Sequence, residues 1–235
     1  MITLVGVGHV FAISEQVRAM IHSRQPEVVC IELDPARYNA LMTRDKGRRG
    51  RIPVQYTLLA WVQRRMATEF GSEAGAEMLA AASAAKEVGA KVALIDMDAA
   101  MVFGKLWREM TLKEKVELMF GSLVGLVTSK EKVEAEVAKY EDHGAEYIEA
   151  LGAEFPSIKR VLIDDRNKHM ADRIASMAAQ HERVLAVVGD GHMQGLVEAL
   201  GDRPVETVRL KDLRRAEPGR SATGGEYAFS YYLKQ

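Results

Sequence analysis

Two short segments near opposite ends of the chain repeat one pattern, in which apolar residues are followed by Gly-x-Gly-His. The first is VGVGH at 5–9 and the second is VGDGH at 188–192. Glycines let the backbone turn sharply after a strand and approach a ligand closely. Each histidine would lie at a helix N-terminus, where the helix dipole disfavours the imidazolium form. Because metal ligation and general-base catalysis both need a neutral imidazole, the repeat predicts functional roles for His9 and His192.

A carboxylate is expected beside these two histidines. The apolar segment VVCIEL predicts a buried strand, and Glu32 lies near its carboxyl end. Parallel strands share one edge at their carboxyl ends, which is where the sites of open α/β sheets lie. Two imidazoles and one carboxylate, with space for water, form an open divalent-metal site of the catalytic type. His9, Glu32 and His192 are therefore the predicted metal ligands, with Glu32 alternatively the general base.

The ligand types restrict the metal ion only in part. The single cysteine, Cys30, lies in an apolar run that predicts burial, so a thiolate cluster is excluded. Imidazole and carboxylate ligands leave manganese, cobalt and zinc open as the bound ion. No role is assigned to the other histidines, which are His22, His143, His169 and His181.

A basic residue is available near the predicted site. Arg166, in the segment DDRN, is a candidate to clamp a carboxylate or to stabilise an oxyanion. A salt bridge to Asp164 or Asp165 is its structural alternative.

Other polar residues lie at the predicted ends of strands or helices. Asp96 and Asp98 follow the predicted strand KVALI and are metal ligands, supporting partners of ligands or helix caps. Arg37 is expected to pair with Asp34 one turn earlier. Arg37, Asp96, Asp98 and Asp190 are the candidates for supporting or substrate-contacting positions.

A dinucleotide loop is an alternative interpretation of the first motif. Gly6 and Gly8 fit the start of Gly-x-Gly-x-x-Gly, and an acidic residue ends the second strand. The third glycine position holds Phe11, however, and His9 would crowd a pyrophosphate. Since the second copy of the motif is also left unexplained, a nucleotide-binding module ranks lowest.

The composition is that of a globular protein. Of the 235 residues 48% are hydrophobic and 28% are charged, and the net charge of −1 argues against nucleic acid as a partner. No basic-then-apolar leader opens the sequence. The longest apolar run, 118–127, is half the roughly 20 residues that a bilayer span requires. A cytoplasmic location is expected.

Strands that are apolar on both faces and alternate with helices predict a parallel sheet covered on both sides. We predict one α/β domain over 1–235, with Ser14 capping the first helix and Pro35 starting another. The predicted strands are Ile2–Gly6, Val28–Leu33, Lys91–Ile95, Arg183–Val188, Val205–Arg209 and a last one within 226–233.

Residues 101–156 are predicted to form a helical insertion or lid within this domain. Two capping boxes divide it, Thr111 with Glu114 and Thr128 with Glu131. A largely apolar helix over 112–127 favours a lid or dimer surface and leaves a membrane-surface contact open. Pro156 is predicted to end the insertion, with the next helix running from about His169 to Gln180.

Together these motifs resemble the TraB/PrgY family, which is named for pheromone-shutdown proteins and is related to the Tiki proteases. The resemblance extends over nearly the whole chain. The segments that carry it are GVGHVFAISEQV, PEVVCIELDPARYNAL, AAASAAKEVGAKVALIDMD, DDRNKHMADRI and VVGDGHMQGLVEAL.

The resemblance implies a wider group that includes erythromycin-esterase-like and haem-binding ChaN-like proteins, and hence an EreA/ChaN-like fold. In the Tiki branch, metal-dependent proteolysis is attributed to the paired Gly-x-x-His motifs, and TraB is thought to inactivate a peptide pheromone. Carried over, His9, His192 and Glu32 would form the site, with Arg166 as its polar support.

The chain departs from the family pattern at the third strand. The motif there is usually Asp-Arg-Asp, but Met97 occupies the middle position, so a basic contact is missing. Many relatives also continue into C-terminal membrane helices, which would make a longer natural chain membrane-associated.

The leading hypothesis is a metal-dependent hydrolase, specifically a peptidase acting on peptides or proteins. A homo-oligomer, in the form of a dimer, is expected. The alternative is a peptide- or haem-binding protein that sequesters its ligand without turnover.

Overall fold

The computed structural model describes residues 1–8, 13–44, 74–117, 149–150, 152–215 and 230–231. Within these ranges the strands form one sheet in the order β3-β2-β4-β1-β5-β6. The first five are mutually parallel, while β6 is antiparallel to β5. The parallel-rich sheet predicted from the sequence is confirmed. The strands are β1 (Ile2–Val7), β2 (Val28–Ile31), β3 (Lys91–Leu94), β4 (Val184–Gly189), β5 (Val205–Val208) and β6 (Ser230–Tyr231).

The centre of the sheet is made by β4 and β1, and every residue of both strands is buried. Strand β4 lies between β2 and β1, so that Ile31 and Val187 pair across one side and Val7 and Gly189 across the other. The ends of β1 and β2 are thereby brought to the end of β4. This register places both Gly-x-Gly segments and Glu32 at the carboxyl ends of neighbouring strands.

Helices cover both faces of the sheet, which confirms the α/β class. Helices α1, α3 and α8 contribute to one buried cluster with the sheet, and α6 and α7 contribute to the other. The helices with assigned bounds are α1 (Ser14–Arg24), α2 (Pro35–Arg44), α3 (Ala74–Glu87), α4 (Ala99–Glu109), α5 (Pro156–Lys159), α6 (Asp165–Ala178), α7 (Met193–Leu200) and α8 (Leu210–Arg215).

The predicted helix starts have mixed outcomes. Pro35 is the first residue of α2, as expected of a residue whose missing N–H costs nothing in the first turn. The predicted cap at Ser14 is wrong, because Ser14 is already helical and the capping position holds Ile13, which makes no side-chain bond to the helix. The fully packed Ile13 side chain anchors this entry to the core instead.

Helical residues 152–154 do end before Pro156, but the predicted helix start at about His169 is wrong. Pro156 is the first residue of α5, and α5 continues through a π-helical stretch, Arg160–Asp164, into α6. Proline is tolerated at the first helical position because its nitrogen needs no partner there. As a result, Arg166 and Asn167 lie inside the first turn of α6 rather than before a helix starting at His169.

Part of the predicted helical insertion is described. Helix α4 and the helical residues 112–117 occupy its start, and the Thr111 capping box is confirmed by the bond from the Thr111 N–H to Oε2 of Glu114, at 2.7 Å. Residues 118–148, which include the Thr128 box and most of the predicted apolar helix, lie outside the described residues. Within the described ranges, none of the helices combines the length and apolar character that a bilayer crossing requires.

Candidate functional site

Glu32 lies just beyond β2 and turns its carboxylate toward the neighbouring strand. Its backbone N–H donates to the carbonyl of Val187 at 3.2 Å, which extends the β2–β4 pairing by one residue. The N–H of Gly189, at the end of β4, donates to Oε2 of Glu32 at 2.6 Å. The side chain is only 8% exposed. Sheet register therefore brings Glu32 to the second Gly-x-Gly-His motif.

His192 is the last residue of a 3₁₀ turn, Asp190–His192, that joins β4 to α7. Its ring is buried, with Nε2 3.4 Å from Oε1 of Glu32. Its Nδ1 atom lies 2.7 Å from Oδ1 of Asn167 in α6. Both ring nitrogens thus face oxygen atoms of buried side chains.

Arg166 connects two strand ends through one guanidinium group. Its Nη2 atom donates to Oε1 of Glu32 at 2.5 Å and to Oδ2 of Asp96 at 2.7 Å. Its Nε atom donates to Oδ1 of Asp96 at 2.9 Å. The alternative salt bridges are not formed, because Asp164 pairs with Lys159 and Asp165 with Lys105.

Asp96 follows β3 and is shared by two arginines from different helices. Besides Arg166, it accepts a hydrogen bond from Nη2 of Arg37. The Nε atom of Arg37 donates to Oδ2 of Asp34 at 2.5 Å, so the predicted Arg37–Asp34 pair is confirmed. Asp96 is thus contacted by basic side chains from both α2 and α6.

The network favours an ionised Glu32. Burial alone would raise the pKa of Glu32, but His192, Arg166 and the N–H of Gly189 outweigh it and hold that pKa well below its usual range. Burial would lower the pKa of Arg166, and its two carboxylate partners raise it instead. The carboxylates of Glu32, Asp34 and Asp96 outnumber the two guanidinium groups that pair with them.

Two other candidates have structural partners. Asp98 caps α4, accepting a hydrogen bond from the N–H of Met101 at 3.0 Å, so its capping alternative is the one observed. Asp190 accepts hydrogen bonds from Arg209 at 2.9 and 2.5 Å and from the N–H of Leu210 at 2.9 Å. Both carboxylates are therefore committed to local architecture at the edges of the site.

His9 lies outside the described residues, as does Phe11. The strand that precedes His9 ends beside β4, since Val7 pairs with Gly189. Among the described residues, no group of three or more His, Cys, Asp and Glu side chains has the geometry of a metal site. From the predicted set, the structure thus brings together Glu32, His192 and Arg166, with Asp96 and Arg37 joined to them through Arg166. The position of His9 stays a prediction.

The two described donors are compatible with one divalent ion. Ligands bound at about 2.0–2.2 Å to one tetrahedral ion lie about 3.4 Å apart, and Nε2 of His192 is 3.4 Å from Oε1 of Glu32. Metal-binding histidines also commonly donate from their other ring nitrogen to an oxygen. The Nδ1–Asn167 contact has that form.

The sequence reasoning noted Asn167 beside Arg166 but assigned it no role in the site. It is 5% exposed and occupies the buried stripe of α6 together with Met170, Ala171 and Ile174. Positions i, i+3, i+4 and i+7 lie on one face of a helix. The signal available in the sequence was therefore an amide in an otherwise apolar stripe, directly after Arg166.

The family model that matches this chain is that of the TraB/PrgY/gumN family, over residues 1–206. The chain belongs to this family. The match includes both Gly-x-Gly-His motifs and every residue of the network around Arg166, so the cluster lies within the TraB/PrgY/gumN region.

One relative is the uncharacterized protein MJ1365 of Methanocaldococcus jannaschii, which is 31% identical over 210 residues. The aligned region covers 85% of this chain and 53% of the relative. The TraB/PrgY/gumN chain described here therefore spans about half the length of that curated relative.

Proposed function

We propose that this TraB/PrgY/gumN-family chain is a metal-dependent hydrolase whose substrates are peptides or proteins. The supporting observation is the 3.4 Å separation of Nε2 of His192 and Oε1 of Glu32 inside a buried, arginine-braced cluster. The separation suits two ligands of one ion. The class of substrate rests on the resemblance of the paired Gly-x-x-His motifs to those of the Tiki branch.

His9, Glu32 and His192 would hold the ion, and manganese, cobalt and zinc are the proposed candidates. A divalent ion bound there would lower the pKa of a water molecule and polarise the scissile carbonyl. The role of Glu32 is better matched to ligation than to general-base catalysis. A base works best with a pKa near the working pH, whereas the neighbours of Glu32 hold its pKa well below the usual range.

Arg166 has a positioning role in this proposal and a smaller electrostatic one. Its N–H groups are engaged by Glu32, Asp96 and the carbonyl of Leu162, which lies 3.1 Å from Nη1. A guanidinium has five N–H groups, so one is left over after these described contacts. That remaining N–H on Nη1 is the group proposed to stabilise a developing oxyanion.

The test combines metal analysis with a cleavage assay. The purified chain would be equilibrated with manganese, cobalt or zinc, its bound metal measured, and its products from a peptide library identified by mass spectrometry. His9→Ala and His192→Ala are expected to lose both bound metal and cleavage. His22→Ala is the matched control, because His22 pairs with Glu87 on the surface and should keep both. Wild-type cleavage by either site variant would refute the assignment.

A non-catalytic peptide- or haem-binding protein is the second candidate. The observation that favours it is that both oxygens of Glu32 already accept hydrogen bonds, one from Arg166 and one from the N–H of Gly189. These contacts compete with ligation of a catalytic metal ion by Glu32. A sequestering protein would be stabilised against heat by its ligand but would release no product on prolonged incubation with metal. Product formation that depends on His192 would exclude it.

A further inference from the structure

We infer that Asn167 is a positioning residue that holds the proton of the neutral His192 ring on Nδ1 and leaves the lone pair of Nε2 facing Glu32. The inference starts from two unequal contacts of one ring. The Nδ1 to Oδ1 distance to Asn167 is 2.7 Å, whereas the Nε2 to Oε1 distance to Glu32 is 3.4 Å. Hydrogen bonds from N–H to oxygen lie at about 2.7–3.2 Å. The contact to Asn167 falls in this range and the contact to Glu32 does not.

The opposite tautomer would place two lone pairs against each other. With the proton on Nε2, unprotonated Nδ1 would face the carbonyl oxygen of Asn167 at 2.7 Å, with no hydrogen between them. In return, the ring would gain only the longer contact to Glu32. The short contact to Asn167 therefore favours the proton on Nδ1 over the longer contact to the ionised Glu32.

The amide of Asn167 is held in place by packing. Asn167 lies in the first turn of α6, and its side chain touches α7 at Gly195. A Cβ atom at position 195 would collide with Nδ2 of Asn167 and approach its Cγ to 3.0 Å. Glycine at this position thus lets the amide lie between the two helices, with Oδ1 toward His192.

The arrangement has a chemical consequence for the ring. An unprotonated Nε2 beside a carboxylate oxygen is a paired donor set for a cation, and an oxygen on the far nitrogen fixes the orientation of such a histidine. Asn167 would thereby prepare His192 for ligation before any ion arrives. The assignment to metal binding rests on the proposed function, but the tautomer is a property of the metal-free chain.

The test is the ¹⁵N NMR spectrum of histidine-labelled, chelator-treated full chain in the neutral state of the ring. The His192 signals would be assigned by their loss in His192→Gln. The wild type is expected to carry the proton on Nδ1, and Asn167→Asp, which keeps an oxygen at this position, is expected to do the same. Asn167→Leu, which is similar in size but has no acceptor, should move the proton to Nε2, where it faces Glu32.

Gly195→Ala provides a second variant that leaves Asn167 itself unchanged. The added methyl group should displace the amide and weaken the preference for Nδ1. A wild-type ring protonated on Nε2 would overturn the inference, even if every variant failed to fold. So would an Asn167→Leu protein that is folded and still protonated on Nδ1.

Metal titration separates this inference from the proposed function. Asn167→Leu is expected to weaken the binding of manganese, cobalt and zinc by about 10–100-fold. If the wild type has the Nδ1 tautomer but binds none of these ions, the proposed function fails and the inference on Asn167 holds. If it binds an ion with the Nε2 tautomer in the metal-free state, the inference fails and the proposed function holds.

Discussion

The Nη2 atom of Arg166 lies 2.5 Å from Oε1 of Glu32, although the two residues are 134 positions apart in the chain. The same guanidinium also holds Asp96, so the ends of β2 and β3 are fastened to α6 by one side chain. Only 16% of the Arg166 side chain is exposed. Its removal would leave carboxylates in the interior without their main counter-charge.

Replacement of Arg166 by Met is therefore expected to lower the free energy of unfolding by about 3–5 kcal/mol, as when one partner of a buried ion pair is removed. Urea unfolding followed by circular dichroism measures this change. Arg160→Met is the control, because Arg160 forms an exposed pair with Glu109 and should lose less than about 1 kcal/mol. Equal stability of the two variants would contradict the role given to Arg166.

Gly6→Ala is expected to destabilise the chain by about 1–3 kcal/mol through overpacking. The new Cβ would collide with Oδ1 of Asp190 and lie 3.1 Å from Cγ of the buried Met193. Asp190 has little freedom to move, because Arg209 and the N–H of Leu210 hold its carboxylate. Calorimetric unfolding of Gly6→Ala and of the wild type measures the difference in their unfolding temperatures.

A second glycine provides the matched control for this substitution. Gly104 lies within α4, and a Cβ there would meet no atom within 4 Å. Gly104→Ala should stabilise the chain by up to about 1 kcal/mol, because alanine favours a helix over glycine. If both substitutions stabilise the chain, a Cβ at position 6 does not collide with Asp190, and the predicted overpacking is wrong.

Glu114 is expected to make stability depend on pH in the acidic range. Its buried carboxylate accepts hydrogen bonds from the N–H groups of Thr111 at 2.7 Å and Ser157 at 2.9 Å, and from both hydroxyls. Burial would raise its pKa, but these bonds outweigh burial and lower it. In the unfolded chain a glutamate has a pKa of about 4.3. The stabilisation is therefore complete above that pH and is lost as the pH falls through the lower folded pKa.

Glu114→Gln isolates this contribution. At pH 7 the variant should be less stable by about 1–3 kcal/mol, because its amide cannot accept all of these bonds. The difference from the wild type should shrink below about pH 4, where the wild-type carboxyl also becomes protonated. Unfolding midpoints in urea at several pH values give the difference. A gap that stays constant down to pH 2 would count against the ionised carboxylate.

Because the thiol of Cys30 is buried, we expect the free energy of unfolding to fall at alkaline pH. Cys30 is fully buried in β2, and this burial raises the pKa of its thiol to about 12, with a smaller opposing effect from Arg173. In the unfolded chain a cysteine thiol has a pKa of about 8.5. Between these values the unfolded state releases a proton that the folded state keeps, so stability should fall by about 1.4 kcal/mol per pH unit.

The matched variant is Cys30→Ala, which removes the thiol and should flatten the dependence on pH above about 8.5. A thiol reagent added to the native wild type at pH 8 should react only as fast as the chain unfolds, because the sulfur is buried. Labelling at the rate of a free thiol would show that β2 opens on its own.

The composition of the strands made the class of the sheet predictable, but not its strand order. Strands such as β1 and β4 are apolar on both faces, which identifies a covered parallel sheet. The same uniformity removes any pattern that would distinguish one neighbour from another. That β4 lies between β1 and β2 follows only from the packed structure.

In the candidate site, contacts between residues close in sequence were predictable, and contacts between distant residues were not. The pairing of Arg37 with Asp34 and the Thr111 capping box were predictable, because each joins residues three positions apart. Arg166 was expected to support the site and clamp a carboxylate, but its specific partners, Glu32 and Asp96, were not predictable, since no local pattern specifies a partner on another element. The helix that contains Arg166 was predicted to start only at about His169. This error has a local cause, because Pro156 is compatible with both the end and the beginning of a helix.

The position of β1 between β4 and β5 has a consequence for folding during synthesis on the ribosome. The backbone of β1 finds its first hydrogen-bonding partner only when residues 184–189 have been synthesised. Until then β1 is an apolar segment without strand partners. Pairing between segments so far apart in the chain is slow, and unpaired apolar strands are prone to aggregation. Assembly of the sheet centre, and of the cluster of Glu32, Arg166 and His192 beside it, therefore follows translation of most of the chain.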